Sequence, residues 1–474
     1  MRKIHHQQIL DVLETIIDAQ DKQQYSACQD GAEAIIDFIA SYGNDYGANT
    51  IKLLEQYFEL LYKTQIGDTK PRILYKHLSK ILTSVETELK PNRIEVAFIS
   101  HKAAMSDSIE SIYLAAKADP DCDAFFIPVP YYEHGKDGKP EVLKFEGAEH
   151  YSPNIDCINW EMYDIEARRP DAIFTFNAYD GDNKVSSIHP NFYSEKLRAF
   201  TNMLVLVPYR VASDKHKSPS WAWPGCINAH RVVMESELQR RYNIEKYKQD
   251  VGELNGAAEE KFIALGNPKY DKVYNTRRED CYLPPSWKNK IGDKKVILYI
   301  SSIGSALANA NTYLQKLAQI MTAFYTRNDV VLWWRPHPLL AATFHSMMPI
   351  LSKTYNDMVK KFKQEDWGIF DDTGDLNRAI AMSDGCYGDG GSIYSLYWQR
   401  NKPFLLADFV PNAPELIEKG HMVEGSGLSL QNYIDGIIDE SIKSAKLVHE
   451  RALANPNGQA GKAIYNYVKE EHFK

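Results

Sequence analysis

"VVLWWRPHP", residues 330–338, decides how the rest of the chain reads. Five apolar residues in a row, β-branched and aromatic, suit a strand buried on both faces, the kind found in parallel sheets. The run stops abruptly at Arg335-Pro336-His337-Pro338. Each proline fixes its own φ and biases the residue before it away from the helical region, so Arg335 and His337 leave the strand end in set directions. A guanidinium and an imidazole at that place suit a phosphate ligand. A strand-end loop with a surface arginine and a packed histidine is the plainer alternative.

The stretch belongs to an alternating series. "KVILYI" (295–300), a helix near 311–326, "VVLWW" (330–334), a helix near 342–363, "WGIF" (367–370), a helix from 375, a short strand near 385–388, a helix from 391 and "PFLLA" (403–407) follow one another. Such alternation predicts a mostly parallel sheet with helices on both faces. A second series precedes it: "IEVAFI" (94–99), a helix in "SDSIESIYLAAKA" (106–118) capped near Ser106 or Asp107, "AFFIPVP" (124–130), "DAIFTF" (171–176), "MLVLVP" (203–208), "CINAHRVVM" (226–234) and "KFIALG" (261–266). The polar, Pro-Pro stretch 275–295 reads as a linker.

Residues 1–90 read as a helical module. Ile9, Leu13, Ile16 and Ile17 share a helix face, and helices over 33–41 and 50–63 follow. The expected fold class is α/β: two doubly wound, Rossmann-like domains facing a cleft, at 91–280 and 290–430, with the helical module before them and C-terminal helices over 431–474.

Length and composition agree. The 474 residues suffice for several domains, and 44% hydrophobic with 25% charged residues is ordinary for a globular protein. A net charge of −8 argues against a general nucleic-acid binder. No apolar run reaches the ~18 residues of a membrane span, and the N-terminus lacks the apolar core of a secretory signal. Six cysteines at 28, 122, 157, 226, 281 and 386 form no C-x-x-C, so reduced thiols and a cytoplasmic location are expected.

In doubly wound sheets ligands lie at the carboxyl ends of strands. That rule selects the loops 100–107, 177–189, 208–225, 301–310, 335–341 and 388–392. In "GDGGSIYSLYW" (388–398), Gly390, Gly391 and Ser392 stand where a strand turns into a helix, either a phosphate-binding turn or a tight turn with a serine cap. "YISSIGSALANAN" (299–311) ends another strand of the same sheet with Ser301, Ser302 and Gly304. With Arg335 and His337 these three loops are expected to form a diphosphate pocket. Dinucleotide, Walker A and G-x-S-x-G patterns are all absent.

The order "ALGNPKYD" (264–271), "VILYISS" (296–302), "RPHP" (335–338) and "DTGDLNRAIAMSDGCYGDGGS" (372–392) resembles the CDP-glycerol glycerophosphotransferases of teichoic-acid synthesis. Four motifs occur in order over roughly residues 200–410. The resemblance implies a GT-B architecture with the nucleotide held by the C-terminal domain. It implies His337 and Ser392 against the donor diphosphate, a CDP-linked donor as substrate, and no tightly bound cofactor or metal. It implies transfer of a glycerol-phosphate, polyol-phosphate or sugar group to a hydroxyl of a cell-surface glycan or its lipid-linked precursor; the expected location is cytoplasmic, with the inner face of the membrane as the alternative. Two departures stand out. The family's D-Y-S-S appears as Asp389-Gly390-Gly391-Ser392, with Leu396 where an aspartate is expected. Its W-H-G-T-P segment, with the proposed catalytic histidine, has no match; the equivalent region is "VLVPYRVAS" (205–213).

The acceptor side is therefore read from loop position. His101, Asp107 and His189 are the candidate general bases, each equally a cap or a packed side chain. Lys102, Tyr209 and Arg210 are candidates to hold an anionic acceptor or the transferred phosphate. "DGD" (180–182) resembles a metal-holding acidic pair but reads better as a solvated turn. Two readings stay open beside the glycerophosphotransferase: a nucleotide-sugar glycosyltransferase, and a non-catalytic nucleotide- or glycan-binding protein. The N-terminal helices are free to meet partners or a membrane surface.

Overall fold

The computed structural model describes residues 1–43, 45–135, 138–183, 186–209, 221–252, 256–337, 339–388, 393, 396–397, 400, 402–406, 428–442 and 453–474. Four helices open the chain, Lys3–Asp21, Tyr25–Ala40, Ala48–Gln65 and Arg72–Glu88. They bury a core of their own that includes Leu13, Ile16, Ile35, Ile39, Leu54, Leu61, Leu78 and Ile81. The fourth helix escaped the sequence reading. Its buried stripe of Leu74, Leu78, Ile81 and Val85 is narrow and set among charged and hydroxyl residues.

Among the described residues nine strands follow: β1 (Ile94–Ser100), β2 (Cys122–Pro128), β3 (Tyr131–His134), β4 (Pro140–Lys144), β5 (Ala172–Thr175), β6 (Ser186–Ile188), β7 (Met203–Leu206), β8 (Arg231–Met234) and β9 (Phe262–Ala264). Six make a parallel sheet in the order β2-β1-β5-β7-β8-β9. The other three form a small antiparallel sheet, β4-β3-β6, that the sequence reading did not foresee.

Two local expectations fail in this domain. "CINAHRVVM" is not one strand: Pro224 starts a short helix, Pro224–Asn228, and β8 begins only at Arg231. The buried Lys261 ammonium secures that break by donating to the carbonyls of Cys226 (3.2 Å) and Ile227 (3.0 Å). Nor do Ser106 and Asp107 cap the helix after β1. They lie in a 3₁₀ turn, Ala103–Ser108, and the helix Glu110–Lys117 starts without a side-chain cap.

The second sheet is also parallel, in the order β12-β11-β10-β13-β14, from β10 (Lys295–Ser301), β11 (Val330–Pro336), β12 (Ile369–Phe370), β13 (Gly385–Gly388) and β14 (Phe404–Leu406). The opening stretch is its second strand, paired from Lys295↔Val330 to Ser301↔Pro336. Trp333 and Trp334 are fully buried on opposite faces. Trp334 packs edge-on against Phe362 and Phe370, and Trp333 against Trp287. Trp287 lies in the stretch read as linker, which holds a helix, Pro285–Ile291. The helix expected near 342–363 is two, Leu340–Met347 and Pro349–Glu365, because Pro349 has no N–H with which to continue the first.

The C-terminal helices go to different cores. Leu430–Ile438 buries Tyr433, Ile434 and Ile437 in the second domain. Ala460–Phe473 buries Ile464, Tyr465 and Val468 in the first. Two doubly wound parallel sheets make this a GT-B-like α/β fold. Strand order reverses between β1 and β5 in one sheet and between β10 and β13 in the other. At such reversals adjacent loops diverge and leave a crevice.

Candidate functional site

The crevice of the second sheet opens where β10 and β13 end. A Cβ on Gly388 would lie 2.2 Å from the Ile300 carbonyl oxygen, so only glycine lets the two strand ends approach this closely. Ser301 follows, 6% exposed, with a hydroxyl that has no partner among the described residues. A buried orphan hydroxyl costs stability unless something supplies its hydrogen bond. Ser302 accepts from the Ser305 N–H at 3.1 Å and caps the short helix Ile303–Ala308. Among the described residues, a Cβ on Gly304 would meet only Ser302 Oγ, at 3.7 Å. Gly390, Gly391 and Ser392 lie outside the described residues, but β13, which leads to them, ends at this crevice.

β11 lies beside β10, and the His337 N–H donates to the Ser301 carbonyl at 3.2 Å. His337 thus joins the same edge. Its Nδ1 accepts from the Leu339 N–H at 3.2 Å, so the neutral ring carries its proton on Nε2. Partial burial pushes its pKa below the ordinary imidazole value, so it is an N–H donor near neutral pH.

Arg335 does something different from what the sequence suggested. Its Nη1 donates to Asp371 Oδ2 at 2.8 Å and its Nη2 to the Thr373 carbonyl at 2.6 Å. Asp371 is fully buried and also accepts from Trp333 Nε1 (3.0 Å), the Thr373 N–H (3.0 Å) and Thr373 Oγ1 (2.7 Å). Trp333 and Arg335 are two residues apart on one strand, so both face this carboxylate. The expectation that prolines aim Arg335 and His337 at one place is corrected. Arg335 braces the loop after β12, and His337 alone of the two stands exposed at the strand end.

"GNPKYD" proves to be a joint. Gly266 has φ +99° and would drive a Cβ into the Ala454 carbonyl at 2.4 Å. Asn267 caps the helix Pro268–Asn275 by accepting from the Lys269 N–H. Asp271 accepts from the N–H groups of Ala460 (3.0 Å) and Gly461 (2.6 Å) and from Ser111 Oγ (2.8 Å), which ties the returning C-terminal helix to the first domain. Arg400, from the second domain, donates to the Tyr274 carbonyl at the far end of the same helix (2.6 Å).

The reversal in the first sheet lies between β1 and β5. His101, directly after β1, packs its ring 5.0 Å from that of Phe176, directly after β5. Burial, helped by the Lys102 charge, pushes its pKa down to about 3, and its Nδ1 has no partner among the described residues. A base this weak takes a proton poorly at neutral pH. Lys102 is half-buried; its ammonium donates to Ser186 Oγ at 3.0 Å and lies 4.7 Å from the Tyr131 ring centroid. Asp107 is paired with Lys269 at 2.6 Å. His189 sits away from the reversal, after β6. Its Nδ1 accepts from the Asn191 N–H, and its ring stacks on Tyr132. Tyr209 packs against the first core, and Arg210 lies outside the described residues. Asp107 and His189 are therefore committed to other partners.

A carboxylate that sequence reasoning missed stands at this edge. Glu146 accepts from the Ala103 N–H at 2.7 Å and from Tyr131 Oη at 2.9 Å. It follows β4, whose pairing folds it back toward the loop after β1. No sequence signal marked it, because β3 and β4 were not read as a hairpin.

"DGD" also differs from its reading as a solvated turn. Asp180 is buried and accepts from the Ser194 N–H (2.9 Å) and Ser194 Oγ (2.6 Å), and burial pushes its pKa up. Asp182 is exposed. Among the described residues no group of three or more His, Cys, Asp or Glu is placed to hold a metal ion.

No family model and no curated protein matches the chain. Solved structures do. A putative UDP-N-acetylglucosamine 2-epimerase from Listeria monocytogenes is similar at TM-score 0.49 and 15% identity, over 80% of this chain and 96% of that one. A UDP-GlcNAc 2-epimerase from Neisseria meningitidis, bound to UDP-GlcNAc, gives 0.46 and 11%, over 79% and 99%. The wall teichoic acid polymerase TagF gives 0.45 and 12%, over 90% and 98%. These are likenesses of fold; the two sheet orders above carry the architecture without them.

Proposed function

We propose that the chain is a GT-B-type transferase. It moves a glycerol-phosphate, polyol-phosphate or sugar group from a nucleotide-activated, CDP-linked donor to a hydroxyl of a cell-surface glycan or its lipid-linked precursor. The observation that carries this reading is the crevice between β10 and β13. There Gly388 closes on Ile300, the Ser301 hydroxyl lacks a partner among the described residues, and the His337 loop is hydrogen-bonded to Ser301. The order of the four motifs supports the donor class.

For a CDP-glycerol donor, the acceptor oxygen attacks the β-phosphorus. Its bond to the CMP oxygen breaks, and CMP leaves with the bonding electrons. His337 Nε2–H and the Ser301 and Ser302 hydroxyls are the donors that meet the negative charge. The acceptor proton goes to a first-domain base, for which Glu146 is the carboxylate at hand.

A second reading is favoured by one observation. Of the three bases expected from the sequence, two are committed elsewhere and His101 is weakly basic. That suits a nucleotide- or glycan-binding protein without turnover. Thermal shift with CDP, UDP, GDP and ADP tests both, since stabilisation by CDP alone supports a CDP-linked donor. Silence towards all four removes transferase and binder together. CMP release from CDP-glycerol then separates enzyme from binder.

A further inference from the structure

Each strand of the small antiparallel sheet β4-β3-β6 sends one polar group to the loop after β1. β3 starts at Tyr131, which is 6% exposed; β4 leads to Glu146; β6 starts at Ser186. The register brings the three together. Tyr131 lies opposite Lys144 on one side and Ile188 on the other, and Glu146 and Ser186 are each two residues from those partners, hence on the same face.

The phenol of Tyr131 is the hub. Its hydroxyl donates to Glu146 Oε1 at 2.9 Å, and the Lys102 ammonium lies 4.7 Å from its ring centroid. The His101 ring meets it edge-on at 6.2 Å. Lys102 is itself held by Ser186 Oγ at 3.0 Å, and Glu146 Oε2 accepts from the Ala103 N–H at 2.7 Å. Four separate parts of the chain thus converge on one half-buried carboxylate.

These contacts fix the carboxylate without neutralising it. Both donors are uncharged and each oxygen receives one, so the group cannot rotate freely, yet each oxygen keeps a lone pair. Asp107, by contrast, is held by the Lys269 ammonium at 2.6 Å. Burial first, and Glu146 second, push the Tyr131 pKa up, so the phenol keeps its proton and donates it. The Lys102 charge beside the ring draws on its electrons and strengthens that donation. A general base must stay within hydrogen-bond reach of the proton it takes, and a small misplacement costs rate steeply.

We propose that Tyr131 and Lys102 are positioning residues for Glu146, the phenol orienting the carboxylate towards the acceptor hydroxyl and the ammonium holding the phenol. This rests on the reading of the chain as a transferase with Glu146 as the acceptor base.

The test is steady-state CMP release by the full chain, with CDP-glycerol as donor and glycerol as acceptor. Tyr131→Phe keeps the ring and loses one hydrogen bond to a charged group, so kcat should fall about tenfold or more at unchanged KM for CDP-glycerol. Lys102→Met should lower kcat about threefold, and Lys102→Arg should restore it, since a guanidinium also sits over an aromatic ring. In a Glu146→Gln background, Tyr131→Phe should change kcat by less than about twofold, because the two residues act as one unit. A purely structural role would lower the melting temperature and leave kcat per folded molecule intact. Turnover that survives Tyr131→Phe, or losses from Tyr131→Phe and Glu146→Gln that multiply, overturns the inference alone. A wild type that binds no CDP and releases no CMP overturns the transferase reading and the inference with it.

Discussion

The guanidinium of Arg335 is paired with the Asp371 carboxylate, 2.8 Å apart, with side chains 11% and 0% exposed. A residue that reads as a ligand clamp is therefore part of the frame that holds the loop after β12. Arg335→Ala removes the nearer of two guanidiniums from the buried Asp371 carboxylate, leaving Arg378 at 3.9 Å, and should destabilise the protein by about 3 kcal/mol. Urea denaturation measures this. If stability is unchanged while nucleotide binding collapses, Arg335 touches the ligand after all.

His337 makes the opposite case. Its backbone is fixed by Ser301 and Leu340, and its ring is exposed with Nε2 free to donate. His337→Ala should weaken CDP binding about tenfold, the loss of a hydrogen bond to a charged group, with little change in melting temperature. Because burial lowers its pKa, the ring gains its charge at a lower pH than an ordinary imidazole. Calorimetry should find CDP affinity flat from about pH 8 to 7 and rising below about pH 6. A pH-independent affinity would contradict the role.

His101 predicts an acid limb of stability. Its pKa is about 3 in the fold against an ordinary 6.5, so the unfolded chain binds the extra proton. Its stabilisation is whole above about pH 6.5 and is lost as pH falls towards 3, by up to about 1.4 kcal/mol per pH unit. His101→Phe keeps a ring between Tyr131 and Phe176 and should flatten the loss between pH 7 and pH 5. Denaturation curves of equal slope against pH in both proteins would exclude the assignment.

Asp271 holds the first turn of the returning helix Ala460–Phe473. Asp271→Ala should cost about 2 kcal/mol and expose that helix to protease. Limited proteolysis with mass mapping reads this out; an uncleaved C-terminus would show that packing of Ile464 and Val468 suffices.

Glu146→Gln keeps the shape of the side chain and its oxygen for the Ala103 N–H. If Glu146 takes the acceptor proton, CMP release should fall about 100-fold or more while the CDP-induced thermal shift stays as in the wild type. Unchanged turnover would return the search to other first-domain groups.

The sequence was most legible where burial is continuous. "KVILYI" and "VVLWW" became β10 and β11 because strands covered on both faces must be apolar at every position. The small sheet β4-β3-β6 was not legible. All five β4 residues are exposed, so no apolar alternation marks the strand. The joint at "GNPKYD" was visible as a motif, but its partners lie some 160 and 190 residues away, at Ser111 and Ala460.

By itself, then, the sequence determined two parallel α/β sheets and the loops at their carboxyl edges, since apolar runs and strand-end breaks are local properties. Which loop residues face a ligand was decided only by tertiary structure. Arg335 and His337 stand two residues apart, yet one is neutralised by a carboxylate from β12's loop and the other is left outward as a donor. A side chain's chemistry is set by what folds against it, and those neighbours come from distant parts of the chain.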